Sequence, residues 1–66
     1  MSTLGEQVRR RRRELHLNQA EVADLAGVSP SLVRFIERDK PTVRLDKVAD
    51  VLNVLGLEMI VKVKST

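Results

Sequence analysis

Between Ala26 and Pro30 the chain stops one helix and starts another within three positions. Gly27 suits a left-handed C-cap, where a side chain would be strained. Ser29-Pro30 reads as an N-cap followed by a proline at the first helical position, where its missing N–H is not needed. Upstream, Asn18-Gln19-Ala20-Glu21 has asparagine at N-cap and glutamate three residues later, the spacing of a capping box. Two short helices, about 19–26 and 30–38, must therefore meet across a tight turn. Ala23, four residues before the glycine, is small enough for the second helix to cross there. Val28, Val33 and Ile36 supply the apolar contacts that lock the crossing.

The flanking segments have helical periods of their own. Thr3-Leu4-Gly5-Glu6 reads as a second capping box, and Leu4, Val8 and Leu15 fall on one face of a helix over about 4–15. Five consecutive arginines, Arg9 to Arg13, sweep about 500° around that helix and cannot share one face. At least one must lie near the apolar stripe, and Arg12, four beyond Val8, is best placed. After an Asp39-Lys40-Pro41 turn, a fourth helix is expected over about 45–55. Leu45, Val48, Ala49, Leu52 and Leu55 are its buried face. Its start is unusual, because Arg44 stands where serine or threonine would cap. Beyond Gly56 the period changes to two: Leu57, Met59, Val61 and Val63 alternate with Glu58, Ile60, Lys62 and Lys64, which predicts a strand over about 57–64. No second strand is evident to pair with it. Antiparallel pairing with the same strand of a second subunit, about a two-fold axis, resolves that difficulty.

Composition narrows the function classes. The chain has 66 residues, enough for one domain, and no cysteine, which removes disulfides and zinc–thiolate sites. A domain this small buries only about 60% of its unfolded surface, so a partner chain is the expected extra source of stability. Its one histidine, His16, has no ligand cluster around it, so neither a metal nor a cofactor is expected. The formal charge is +3 and Phe35 is the only aromatic residue. No apolar run is long enough to span a membrane and no secretory leader is evident, so the expected setting is cytoplasmic, with no membrane partner. No nucleophile–base pair, phosphate-cradling glycine loop or paired carboxylates are present. An enzyme is not expected.

At this point the run Gln19-Ala20-Glu21-Val22-Ala23-Asp24-Leu25-Ala26-Gly27-Val28-Ser29, followed by Val33, Ile36-Glu37 and Lys40, resembles the Cro/phage-repressor (Xre) helix-turn-helix family. The Val-Arg-x-Arg-Arg before it, and Leu45-Asp46-Lys47-Val48 through Leu55-Gly56-Leu57 after it, resemble the small HipB-type antitoxin branch. The resemblance covers nearly the whole chain. It implies a mainly α fold: a four-helix lambda-repressor-like domain with a C-terminal β-strand pairing across a homodimer. It further implies a transcriptional repressor of an inverted-repeat operator on double-stranded DNA, with two recognition helices in successive major grooves about 34 Å apart. The HipB-type branch implies a HipA-like kinase toxin as partner and repression of the shared toxin–antitoxin operon. Other small Xre regulators, such as a restriction–modification controller or a prophage repressor, are the alternatives. A protein-interaction module that has lost specific DNA binding is another.

The family pattern assigns roles residue by residue. Residues 30, 31, 34 and 35 lie opposite core positions 33 and 36. The resemblance places Pro30, Ser31 and Phe35 against base edges, while Arg34 can reach guanine or phosphate. Pro30 can only pack, and Phe35 suits thymine methyls. Gln19 is expected on a backbone phosphate at the start of its helix, with Asn18 beside it. Arg38, Lys40, Thr42 and Arg44 surround the end of the recognition helix, on the sugar–phosphate chain. Arg12 and Glu37 are the expected structural salt bridge between the first and the recognition helix. Arg9, Arg10, Arg11 and Arg13 are left open between DNA, an acidic partner protein and solvent. His16 stands where the family favours glycine, and Arg38-Asp39 replaces another usual glycine. Leu57, Met59, Ile60, Val61 and Val63 are the expected dimer interface.

Overall fold

A computed structural model describes residues 2–60 of the chain. It contains α1 (Leu4–Glu14), α2 (Gln19–Ala26), α3 (Pro30–Glu37) and α4 (Leu45–Val54). Each of the first three starts on a side-chain cap that satisfies an otherwise orphaned N–H. Thr3 Oγ1 accepts from Glu6 N at 3.2 Å, and Ser29 Oγ from Leu32 N at 3.2 Å. Asn18 and Glu21 make both arms of a capping box, at 2.7 and 2.9 Å. α4 starts at Arg44 without a side-chain cap; the Arg44 guanidinium pairs with Asp46 at 2.9 Å instead.

All four helices end the same way. His16, Gly27, Asp39 and Gly56, which follow the helices in turn, take φ values of 57°, 71°, 57° and 69°. Beyond each, an N–H reaches back five positions: Leu17 to Arg12 O, Val28 to Ala23 O, Lys40 to Phe35 O and Leu57 to Leu52 O. This is the Schellman arrangement, which satisfies the last carbonyls and turns the chain sharply. Histidine and aspartate adopt the left-handed conformation that glycine would take with less strain.

Val8, Val22, Ala23, Val33, Ile36, Val48, Val51, Leu52 and Leu55 form the buried core. α2 packs against both α3 and α4, and α1 packs against α3. α1 meets the end of α3 at Gly5: a Cβ there would lie 2.5 Å from Glu37 O and 2.7 Å from Ile36 O. Only glycine permits this approach, which brings the arginine run of α1 alongside α3.

Several sequence expectations need correction. The buried face of α4 is Val48, Val51, Leu52 and Leu55, not the stripe through Leu45 and Ala49. Leu45, in the first turn of α4, is 67% exposed. Ala49 lies on the exposed side of the helix, about 100° round from Val48. Leu4 and Leu15, at the two ends of α1, are partly exposed, and Val8 holds that face with Gly5. Helices α1, α3 and α4 each stop one residue earlier than expected, leaving Leu15, Arg38 and Leu55 as C-caps. The expected strand is absent over residues 57–60, and no strand occurs among the described residues. Leu57 N–H is engaged by Leu52 O at 2.9 Å, and its side chain packs on the chain's own core. Residues 61–64 of that expectation, with Val61 and Val63, lie outside the described residues. Met59 and Ile60 are exposed.

Candidate nucleic-acid interface

The site is organised around one buried carboxylate. Glu37, in the last turn of α3, has a side chain only 2% exposed. Arg12 Nε donates to its Oε2 at 2.7 Å and Arg12 Nη2 to its Oε1 at 3.0 Å, a bidentate fork. Gln19 Nε2 donates to the same Oε1 at 3.3 Å, and Arg9 Nε lies 3.5 Å away. Arg12 completes its donors through Nη1 to Leu17 O at 3.0 Å. One glutamate thus ties together α1, the start of α2 and the end of α3. Burial pushes the Glu37 carboxyl up. The hydrogen bonds from Arg12 and Gln19, and the charges of Arg12 and Arg9, outweigh it and hold it below the usual carboxylate range. The hydrogen bond to Glu37 correspondingly raises Arg12.

A second acidic group fixes the other end of α1. Asp39 Oδ1 accepts from Gly5 N at 2.8 Å, capping an N–H that the helix itself cannot satisfy. A hydrogen bond from Thr3, then the one from Gly5, holds the Asp39 carboxyl below its ordinary value. The loop after α3 is thereby tied to the helix that carries the arginines. Arg11 has yet another role: its Nε donates to Leu55 O at 2.9 Å, a free carbonyl at the end of α4. Gly5, Asp39 and Arg11 were not legible as site-building residues. A glycine within the first turn of a helix, and an aspartate at a helix stop, were the available signals for two of them.

With α3 held from behind, its outer ridge is presented to solvent. Pro30 and Arg34 are exposed, and Ser31 and Phe35 are half-buried. Arg34 Nη2 donates to Ser31 Oγ at 3.3 Å. The Phe35 ring is not bare: Lys40 Nζ sits 4.5 Å from its centroid and the Arg34 guanidinium 5.8 Å. These cation–π contacts explain how an outward phenylalanine is tolerated. Arg38, Lys40, Thr42 and Arg44 are exposed around the end of α3. Asn18 is exposed, but its side-chain oxygen is engaged as the α2 cap. Gln19 is half-buried and turned toward Glu37, which leaves one amide N–H for an outside ligand. Among the described residues, no group of His, Cys, Asp and Glu could hold a metal ion, and no helix is long and apolar enough to cross a membrane.

A family model described as helix-turn-helix matches residues 8–61, which takes in all of α2, α3 and α4. The chain belongs to the helix-turn-helix family. This is a family of DNA-binding transcriptional regulators. Among relatives, the chain is similar to the "Uncharacterized HTH-type transcriptional regulator y4mF" of Sinorhizobium fredii (strain NBRC 101917 / NGR234). The two are 42% identical over 53 residues, which cover 80% of this chain and 70% of the relative. In helix-turn-helix terms, α2 and α3 are the paired helices and α3 occupies the recognition position.

Proposed function

We propose that this chain is a sequence-specific transcriptional repressor that inserts α3 into the major groove of an inverted-repeat operator. The observation that carries the reading is the placement of α3. Its last turn is held by the Arg12–Glu37–Gln19 cluster, while Pro30 is left exposed and Ser31 and Phe35 half-buried along the helix. Serine can donate to or accept from a base edge, and proline and phenylalanine suit thymine methyls. Asn18, Gln19, Arg38, Lys40, Thr42 and Arg44 flank the helix as phosphate contacts. An operator of two half-sites needs two copies, and the apolar tail from Met59 through Val63 is the surface proposed to join them.

The resemblance to HipB-type antitoxins supports a further part of the proposal: the repressor also binds a HipA-like kinase toxin and controls the operon that encodes both. If so, the product of the neighbouring gene, co-expressed with this chain, elutes with it as one complex. Separate elution removes the antitoxin part and leaves the repressor. Dimerisation is checked with Ile60→Asp, a change at a residue 69% exposed that leaves the helical core intact. Sedimentation should show a dimer for the natural sequence and a monomer for the variant.

The repressor reading itself is tested by enriching protein-bound duplexes from a random pool. The expected product is an inverted repeat whose half-sites lie one helical turn apart, about 10 base pairs centre to centre. A pool that stays random after several rounds would mean that α3 reads no sequence, and a protein-interaction module would take the repressor's place.

A further inference from the structure

The segment between α3 and α4, residues 38–44, is loosely held. Asp39 N–H closes on Ile36 O and Lys40 N–H on Phe35 O, both at 3.0 Å, and these bonds end α3. Among the described residues, Pro41, Thr42 and Val43 make no backbone–backbone hydrogen bond. Val43 packs on the core, and the Arg44 guanidinium turns to Asp46. The tie from this loop to a distant part of the chain is Asp39 Oδ1, which accepts from Gly5 N at 2.8 Å across 34 residues. Both ends of that bond are fixed. Gly5 sits where α1 touches the last turn of α3, with no room for a Cβ. Asp39 holds φ at 57°, a left-handed backbone that glycine would take with less strain. Strain is thus carried together with an acceptor that glycine lacks. The charge of Asp39 has no other evident use. Among the described residues it has no cation within ion-pair distance, although Arg38 and Lys40 are its chain neighbours. An exposed carboxylate among cations that meet DNA also repels the phosphates. A geometric role offsets both costs.

We infer that Asp39 is a positioning residue for DNA binding: its clasp on Gly5 N–H fixes the loop against the start of α1, and so fixes the reach of Lys40 and Arg44 relative to α3. Asp39 itself makes no contact with DNA. The inference rests on the repressor reading and deepens it. With the clasp open, the stretch from Lys40 to Arg44 is held by Val43 on the core and by its own two ends. Its cations then lose their fixed place, and the backbone contacts they supply are lost with it.

The test compares the natural chain with Asp39→Gly and Asp39→Asn. Both variants remove the charge. Glycine also removes the acceptor while suiting the left-handed backbone; asparagine keeps an acceptor oxygen and tolerates that backbone. Charge alone would make both variants bind DNA more tightly. The clasp predicts opposite signs: Asp39→Asn binds at least as tightly as the natural chain, and Asp39→Gly binds more weakly. Binding to the selected operator and to a scrambled duplex is titrated from about 50 to 200 mM salt, a range over which each lost phosphate contact lowers the salt slope by about 0.9. With the contacts of Lys40 and Arg44 lost, Asp39→Gly should lose roughly tenfold less affinity across that rise than the natural chain, on both duplexes. A second arm follows amide exchange at Gly5 by NMR without DNA. Gly5 N–H should be protected in the natural chain and in Asp39→Asn, and should exchange faster in Asp39→Gly. Equal protection in all three overturns the clasp. An operator-selecting natural chain whose affinity and slope are matched by Asp39→Gly overturns the inference and leaves the repressor reading standing, as does an Asp39→Asn as weak as Asp39→Gly. A natural chain that selects no operator overturns the repressor reading, and the inference with it, even where Gly5 exchange shows the clasp in place.

Discussion

Replacing Glu37 with alanine removes the one acceptor on which Arg12, Gln19 and Arg9 converge. Breaking one side of a buried ion pair typically costs about 3–5 kcal/mol, because the remaining charge is left without compensation. Two features of this site place the effect near the lower end. Arg12 keeps its bond to Leu17 O at 3.0 Å, and the Arg9 side chain, 45% exposed, rehydrates freely. A loss of about 3 kcal/mol in a domain of this size lowers the melting midpoint by roughly 12–24 °C. A chain of 66 residues has only about 3–10 kcal/mol in total, so Glu37→Ala should stand at the edge of folding. Urea melts followed by circular dichroism measure the difference, and Glu37→Gln, which keeps one acceptor oxygen, should fall between the two. The joint replacement Arg12→Met/Glu37→Leu should recover much of the loss, since a buried pair replaced by apolar groups is often neutral. A loss under about 1 kcal/mol for Glu37→Ala would refute the view that this cluster holds α1 and α2 against α3. The pH dependence follows with a definite sign. Glu37 and Asp39 are both depressed in the folded chain, so the unfolded chain takes up protons first as pH falls. Their stabilisation is complete above the ordinary carboxylate range, roughly pH 4–5, and is lost as pH drops through the lower folded values. Glu37→Gln should flatten that acid limb; an equally steep one would assign it to other groups.

Gly5→Ala sets two effects against each other: alanine gains about 1 kcal/mol of helix propensity, while a Cβ against the α3 carbonyls costs about 3 kcal/mol of overpacking. The net expectation is a loss of about 2 kcal/mol by chemical denaturation, and a stabilised variant would disprove the close approach. Arg11→Met removes the donor to Leu55 O and should cost about 1 kcal/mol, seen as a lower melting midpoint; an unchanged midpoint would leave that carbonyl satisfied by water. Phe35→Ala should weaken operator binding more than binding to scrambled DNA, and equal losses would make Phe35 a packing residue beneath Lys40.

What the sequence made legible was local chemistry. Thr3, Asn18 and Ser29 mark helix starts because an orphaned N–H needs a nearby oxygen, and Gly27 marks a stop because only a left-handed residue closes a Schellman turn. The four helices follow from those marks and from apolar period. Tertiary placement was harder to read. Period alone could not choose between Leu45 and Val51, because that depends on which turns of α4 meet the rest of the chain. The five arginines look alike in sequence, yet Arg11, Arg12 and Arg10 end on a helix end, a buried glutamate and a serine. Those partners lie up to 44 residues away. The closeness of α1 to α3 is likewise a property of the packed chain, and Gly5 shows it only as the absence of a side chain. The tail alternates like a strand, but a strand is defined by its partner, and residues 57–60 of a single chain have none.

The central claim is that α3 reads a DNA sequence. The most direct measurement is a binding titration with the DNA immediately upstream of the chain's own gene, beside a scrambled duplex, at low and near-physiological salt. The account predicts tight binding to the upstream DNA with at least ~10³-fold preference at physiological salt. Weak binding to both duplexes, collapsing alike as salt rises, would mean that only phosphate attraction is present and would contradict it.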